Sequence, residues 1–117
     1  MQIPSSTPVL NYEVALARMG NEKEIYNAVA EVYQDSILQL IVAMGKGAES
    51  GDHEKVMREA HSAKSSSRIV GAEVVGEWAE LLESAGKNEE DQKYHELIAH
   101  ITNATKEVLP LIRSCCA

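Results

Sequence analysis

The sequence has no phenylalanine, a single tryptophan and only three prolines. Without Phe, the core must be built from Val, Ile, Leu, Ala and Met, which suits helices packed against helices. Two of the prolines, Pro4 and Pro8, fall within the first eight residues, so the body of the chain is almost free of helix breakers. Positive charge is also scarce. Eleven Lys and Arg against 18 Asp and Glu leave a net charge of -7, which argues against nucleic acid as a partner, because phosphate backbones need a basic footprint. No apolar run is long enough to span a membrane. The first eight residues lack the charged start and apolar stretch of a signal peptide, so the cytoplasm is the expected compartment. The only cysteines, Cys115 and Cys116, are adjacent at the end of the chain. Neighbouring cysteines are strained as a bridge, and with no CxxC spacing or nearby histidine they read as a reduced tail and not a zinc site.

The chain is long enough for one domain with one modest core, and its apolar residues recur at helical spacing throughout. Residues 1–10 read as a flexible arm, 11–113 as a helical bundle and 114–117 as a tail. A short helix is expected from the N-cap Asn11 to Met19, stopped by Gly20. A second runs from about Glu22 to Met44, with Ile25, Val29, Val32, Ser36, Leu40 and Ala43 as its inward stripe and the cluster Gly45, Gly47, Ser50 and Gly51 as a turn. Asp52 caps a third helix whose core line is Val56, Ala60, Ala63, Ser67 and Val70. The fourth spans about Glu73 to Ala85, with Val74, Val75, Trp78, Leu81, Leu82 and Ala85 inward and Gly86 just past its end. Asn88 can cap the last helix, which carries Tyr94, Leu97, Ile98, Ile101, Thr105 and Val108 and should kink or end near Leu109, before Pro110. There is no strand-like alternation. The expected fold is therefore all-α: an antiparallel up-and-down four-helix bundle with a short extra N-terminal helix.

One segment stands out chemically: Ala60-His61-Ser62-Ala63-Lys64-Ser65-Ser66-Ser67. His61 is rotated about 100° from the core residue Ala60. Residues three and four apart share a face, so Glu54, Arg58, His61, Lys64, Ser65 and Arg68 form one exposed stripe. Arg58, Lys64 and Arg68 make that stripe basic on an otherwise acidic chain. Lys64 is placed to neutralise a phosphoryl group on His61, while Ser62, Ser65 and Ser66 leave room for a partner surface. Only a neutral imidazole has the lone pair needed for attack. His53, His95 and His100 have no lysine three residues on and read as surface residues. The acidic run Glu89-Glu90-Asp91 suits a helix N-terminus.

His61, Lys64 and Gly71 match the pattern His-x-x-Lys-Gly with a second glycine ten residues after the histidine. Gly51-Asp52 before the helix and Leu82-Glu83 near the end of the next match its usual flanking pairs. In these residues, and over about Asn11 to Ile112, the chain resembles the histidine-containing phosphotransfer (HPt) domains of two-component phosphorelays. One position departs from the pattern, since Ser65 stands where the glycine after the lysine is usual. The resemblance implies that His61 accepts a phosphoryl group from a receiver-domain aspartate, or from a histidine kinase, and passes it to a response-regulator aspartate. It implies that Glu83 orients the His61 ring, and that Arg58, Ser62, Ser65, Ser66 and Arg68 dock the partner. Response-regulator receiver domains and a hybrid histidine kinase are the implied partners. No intrinsic metal or cofactor is expected, magnesium belonging to the receiver, and the protein would be a phosphocarrier and not an enzyme. Two other readings compete. A helical adaptor that binds a kinase or receiver without carrying phosphate could dispense with His61. A metal-binding bundle would need inward Glu-x-x-His pairs, which the histidines here do not supply.

Overall fold

The computed structural model describes residues 2–117; Met1, the first residue of the expected arm, lies outside them. Five α-helices follow one another: α1 (Tyr12–Arg18), α2 (Lys23–Ser50), α3 (His53–Val70), α4 (Glu73–Lys87) and α5 (Tyr94–Cys115), with a 3-10 turn at Asp91–Lys93. Among the described residues there is no strand. Helices α2 to α5 form an antiparallel bundle in which each packs on its neighbours and α5 closes back on α2. The core is aliphatic, from Ile37, Met44, Val56 and Leu82 to Leu97, Ile101 and Ile112, with Tyr26 and Tyr94 buried among them.

Helix α3 follows the expected pattern residue for residue. Val56, Ala60, Ala63, Ser67 and Val70 are its buried residues, and the Asp52 side chain accepts the Lys55 amide at 3.0 Å as an N-cap. The helix ends on Gly71 in the left-handed conformation (φ 87°). A Cβ at Gly71 would lie 2.5 Å from the carbonyl oxygen of Asn11. The first turn of α1 therefore rests directly on this glycine, and the Asn11 amide donates to the Gly71 carbonyl at 2.8 Å. Arg18, at the far end of α1, donates to the Arg68 carbonyl at 3.2 Å. Together these contacts fasten α1 across the end of α3. In the arm, Ile3, Val9 and Leu10 are partly buried against the core.

Four expectations about the helices are corrected. The buried side of α2 is Tyr26, Ala30, Tyr33, Ile37, Met44 and Gly47, about 100° round from the expected stripe; Ile25 and Val32 are 50% and 68% exposed. Tyrosine can take core positions here because its hydroxyl finds a partner: Tyr26 donates to the Val70 carbonyl at 2.8 Å, and Tyr33 pairs with Ser67 Oγ at 2.8 Å. Helix α2 also runs through Gly45 and Gly47 to Ser50. Gly47 acts as a contact and not as a turn, since a Cβ there would sit 3.1 Å from Val56 Cγ2. Finally, α5 passes through Pro110 and ends at Cys115. The proline faces solvent, and the Lys106 carbonyl it leaves unbonded belongs to an exposed residue that water can satisfy. Asn88 closes α4 and caps no later helix.

Candidate functional site

His61 lies at the middle of α3, with its side chain 59% exposed. Its Nδ1 is 2.7 Å from Oε2 of Glu83 on α4. The other carboxylate oxygen, Oε1, is 2.6 Å from Nζ of Lys64. Glu83 is thus a two-handed bridge, with one oxygen on the imidazole and one on the ammonium three residues further along α3. Burial pushes the Glu83 carboxyl up, but hydrogen bonds from Lys64 and His61 outweigh this and hold it below the usual carboxylate range. A carboxylate can only accept, so a neutral His61 must carry its proton on Nδ1. Its lone pair then sits on Nε2, away from Glu83, as a carboxylate fixes the histidine tautomer in a hydrolase triad.

The elements that create this bridge can be named. Antiparallel α3 and α4 pair Met57 with Gly86 at one end and Arg68 with Gly76 at the other; the His61–Glu83 pair sits one turn in from the first. Both glycines lie within α4. Gly86 is not the terminator expected from the sequence, and the left-handed residue after α4 is Glu89 (φ 54°).

The expected basic stripe is largely neutralised. Lys64 is occupied by Glu83 and only 20% exposed. Arg68 lies over Gly76 and reaches Glu77 and Glu80 at 3.7 and 3.6 Å, so it clamps α3 to α4. Arg58, 60% exposed, is within 3.9 Å of Glu54 and 3.5 Å of Glu59. Periodicity put these cations on a common side but gave no sight of the α4 carboxylates that face Lys64 and Arg68; the partners of Arg58 lie on α3 itself.

Ser62 and Ser65 are exposed, and with Ile69 they share one side of α3 next to His61. Beyond them an apolar groove of about 340 Å³ opens between α2 and α3, lined by Ala28, Val29, Val32, Tyr33, Ser66, Ile69 and Val70. Part of the stripe assigned to the core of α2, Val29 and Val32, instead forms this groove. The signal was present as apolar residues in excess of what one buried face needs.

The remaining histidines have other surroundings. His53 Nδ1 pairs with the buried Tyr94 hydroxyl at 2.7 Å. His100 stacks on Trp78, with ring centroids 4.0 Å apart and planes 7° from parallel. Among the described residues no three His, Cys, Asp or Glu side chains gather in a way that would hold a metal ion, and no helix is long and apolar enough to cross a membrane.

A family model described as the Hpt domain matches residues 28–109, which include α3 with His61 and α4 with Glu83. No match was found among curated proteins. Among solved structures, the chain is similar to the histidine-containing phosphotransfer protein B (HptB) of Pseudomonas aeruginosa, with a TM-score of 0.85 and 20% identity over 93% of this chain and 95% of that one. At that identity the likeness speaks to the fold, and the all-helical bundle is the fold they share.

Proposed function

The chain belongs to the Hpt domain family, whose role is histidine phosphotransfer in phosphorelays, and from that premise we propose that His61 is its phosphoacceptor. The observation that carries this reading is the Nδ1–Glu83 hydrogen bond, which leaves the Nε2 lone pair directed to solvent. In the transfer, Nε2 attacks the phosphorus of an aspartyl phosphate on a receiver domain. The P–O bond to the aspartate breaks, and its electron pair leaves on the carboxylate. The imidazole keeps its Nδ1 proton, and the positive charge that develops on the ring faces the Glu83 carboxylate. The reverse step, onto a second receiver's aspartate, delivers the phosphoryl group. A histidine kinase is the other donor of the right chemistry. Magnesium and the in-line geometry are the receiver's contribution.

Lys64 has two roles in this reading. At rest it holds Glu83; once His61 carries a phosphoryl group, its ammonium is near enough to turn toward the new negative charge. The receiver docks over Ser62, Ser65 and the groove of Val29, Val32 and Ile69, with Arg58 at the rim. Ser65 adds only a hydroxymethyl group where the family usually has glycine, so it narrows the approach without closing it. Such relays set the protein in the cytoplasm, as a carrier whose catalysis comes largely from its partners.

The test is to incubate the protein with a phosphorylated receiver domain and magnesium and to follow acid-labile, base-stable label. Label is expected on the wild type and not on His61→Gln, and Ile69→Asp should weaken transfer while leaving the fold intact. Label that persists in His61→Gln would overturn the assignment.

A further inference from the structure

We infer that Gly86 is a positioning residue for His61: its missing side chain sets the α3–α4 separation at which Glu83 reaches the imidazole. This rests on the phosphoacceptor reading above and concerns the same site. Gly86 is buried within α4. A Cβ there would lie 2.9 Å from the Met57 backbone nitrogen, 3.0 Å from its Cα and 3.1 Å from its Cβ. Two of these are backbone atoms of α3, which cannot rotate away as a side-chain tip can. The two helices are therefore in backbone contact at this point.

The register converts this contact into site geometry. Glu83 lies three residues before Gly86, and His61 four residues after Met57. On antiparallel helices, both steps climb one turn from the contact on the same side. The 2.7 Å His61–Glu83 bond is consequently made one turn from a point of backbone contact. A methyl group at residue 86 must move α3 and α4 apart by about half an ångström to restore ordinary contact distance. That takes the bond out of the range of about 2.7–2.9 Å typical of charge-assisted pairs. Gly76, at the other end of the same helix pair, is different. Its Cβ would meet only Arg68 side-chain atoms, the nearest Cγ at 3.1 Å, and these can shift.

The experiment compares Gly86→Ala with Gly76→Ala in the full chain by two readouts. The first is the 15N NMR signature of the His61 ring at a pH where it is neutral, which reports the proton on Nδ1 or Nε2 without any phosphate. The second is the initial rate of label uptake from a phosphorylated receiver. Gly86→Ala is expected to raise the Nε2–H tautomer and slow uptake by about tenfold, within the cost of sub-ångström misplacement of a reacting group; Gly76→Ala should leave the tautomer as in the wild type. Should Gly86→Ala not fold, Met57→Val, which adds a branch at the Cβ facing Gly86, gives a milder wedge at the same contact. A folded wedge variant with the wild-type tautomer, or an equal tautomer change in Gly76→Ala, overturns the inference. A wild type that takes no label overturns the phosphoacceptor reading instead, and the tautomer comparison still decides the role of Gly86.

Discussion

Replacing Glu83 by glutamine removes one atom's worth of function and leaves the shape. The carboxylate accepts from His61 Nδ1 with one oxygen and from Lys64 Nζ with the other. A carboxamide has one acceptor and one donor in those places. If its oxygen serves His61, its NH2 group faces the Lys64 ammonium, donor against donor, and Lys64 is released. If it serves Lys64, His61 loses its proton acceptor. The first arrangement preserves the tautomer but exchanges a charge-assisted bond, worth about 1.5–3 kcal/mol, for a neutral one of about 0.5–1.5 kcal/mol. With the imidazole 59% exposed, solvent screening keeps the difference at the lower end. About 1 kcal/mol of lost stabilisation of the charged ring slows phosphoryl uptake about fivefold. Glu83→Ala removes both contacts and should slow uptake on the order of 50-fold, about 2–3 kcal/mol. The assay is single-turnover transfer from a phosphorylated receiver, at concentrations that saturate docking. A Gln variant within twofold of the wild type, or an Ala variant no slower than the Gln variant, would refute the role given to Glu83.

Other outcomes follow from the same structure. Because the Glu83 carboxyl is held below its ordinary value of 4.5, the stability it contributes is present above that pH and is lost as pH falls through its lower folded value; in urea unfolding the wild type should exceed Glu83→Gln above pH 5, and the two should converge in acid. Gly71→Ala combines a left-handed non-glycine residue at about 1–2 kcal/mol with a clash against the Asn11 carbonyl and loss of the Asn11–Gly71 hydrogen bond. It should cost about 3 kcal/mol and lower the urea midpoint by about 2 M, with faster amide exchange in α1. Gly45→Ala meets nothing within 4 Å and lies inside α2, so it should stabilise the protein by about 0.5–1 kcal/mol in the same measurement.

What the sequence made legible depended on how many demands each residue met. Helix α3 has one demand on its inner side, close packing of small residues, and Val56, Ala60, Ala63, Ser67 and Val70 were readable from spacing alone. Helix α2 has two apolar sides, one for the core and one for the groove. The pattern followed the aliphatic side with Ile25 and Val32, while the core took Tyr26 and Tyr33, whose burial depends on Val70 and Ser67 in another helix. Gly45, Gly47 and Gly86 looked like terminators because glycine often is one. At Gly47 and Gly86 their use is a backbone approach, which depends on a neighbouring helix that local sequence does not describe. The pairing of His61 with Glu83 was legible only through resemblance; the occupation of Lys64 and Arg68 by α4 carboxylates was not legible at all, because it depends on the rotational setting of two helices.

The stack of Trp78 on His100 gives this protein a built-in optical probe. It is the only tryptophan in the chain, so its emission has no background from a second indole. The contact joins α4 to α5, so the signal changes when that seam opens. Trp78 and Glu83 are five positions apart, which sets the two side chains about 140° apart around α4. Substitutions at Glu83, Lys64 or His61 should therefore leave the fluorescence unchanged while they alter phosphoryl uptake. One spectrum then separates a variant that has lost its chemistry from one that has lost its fold.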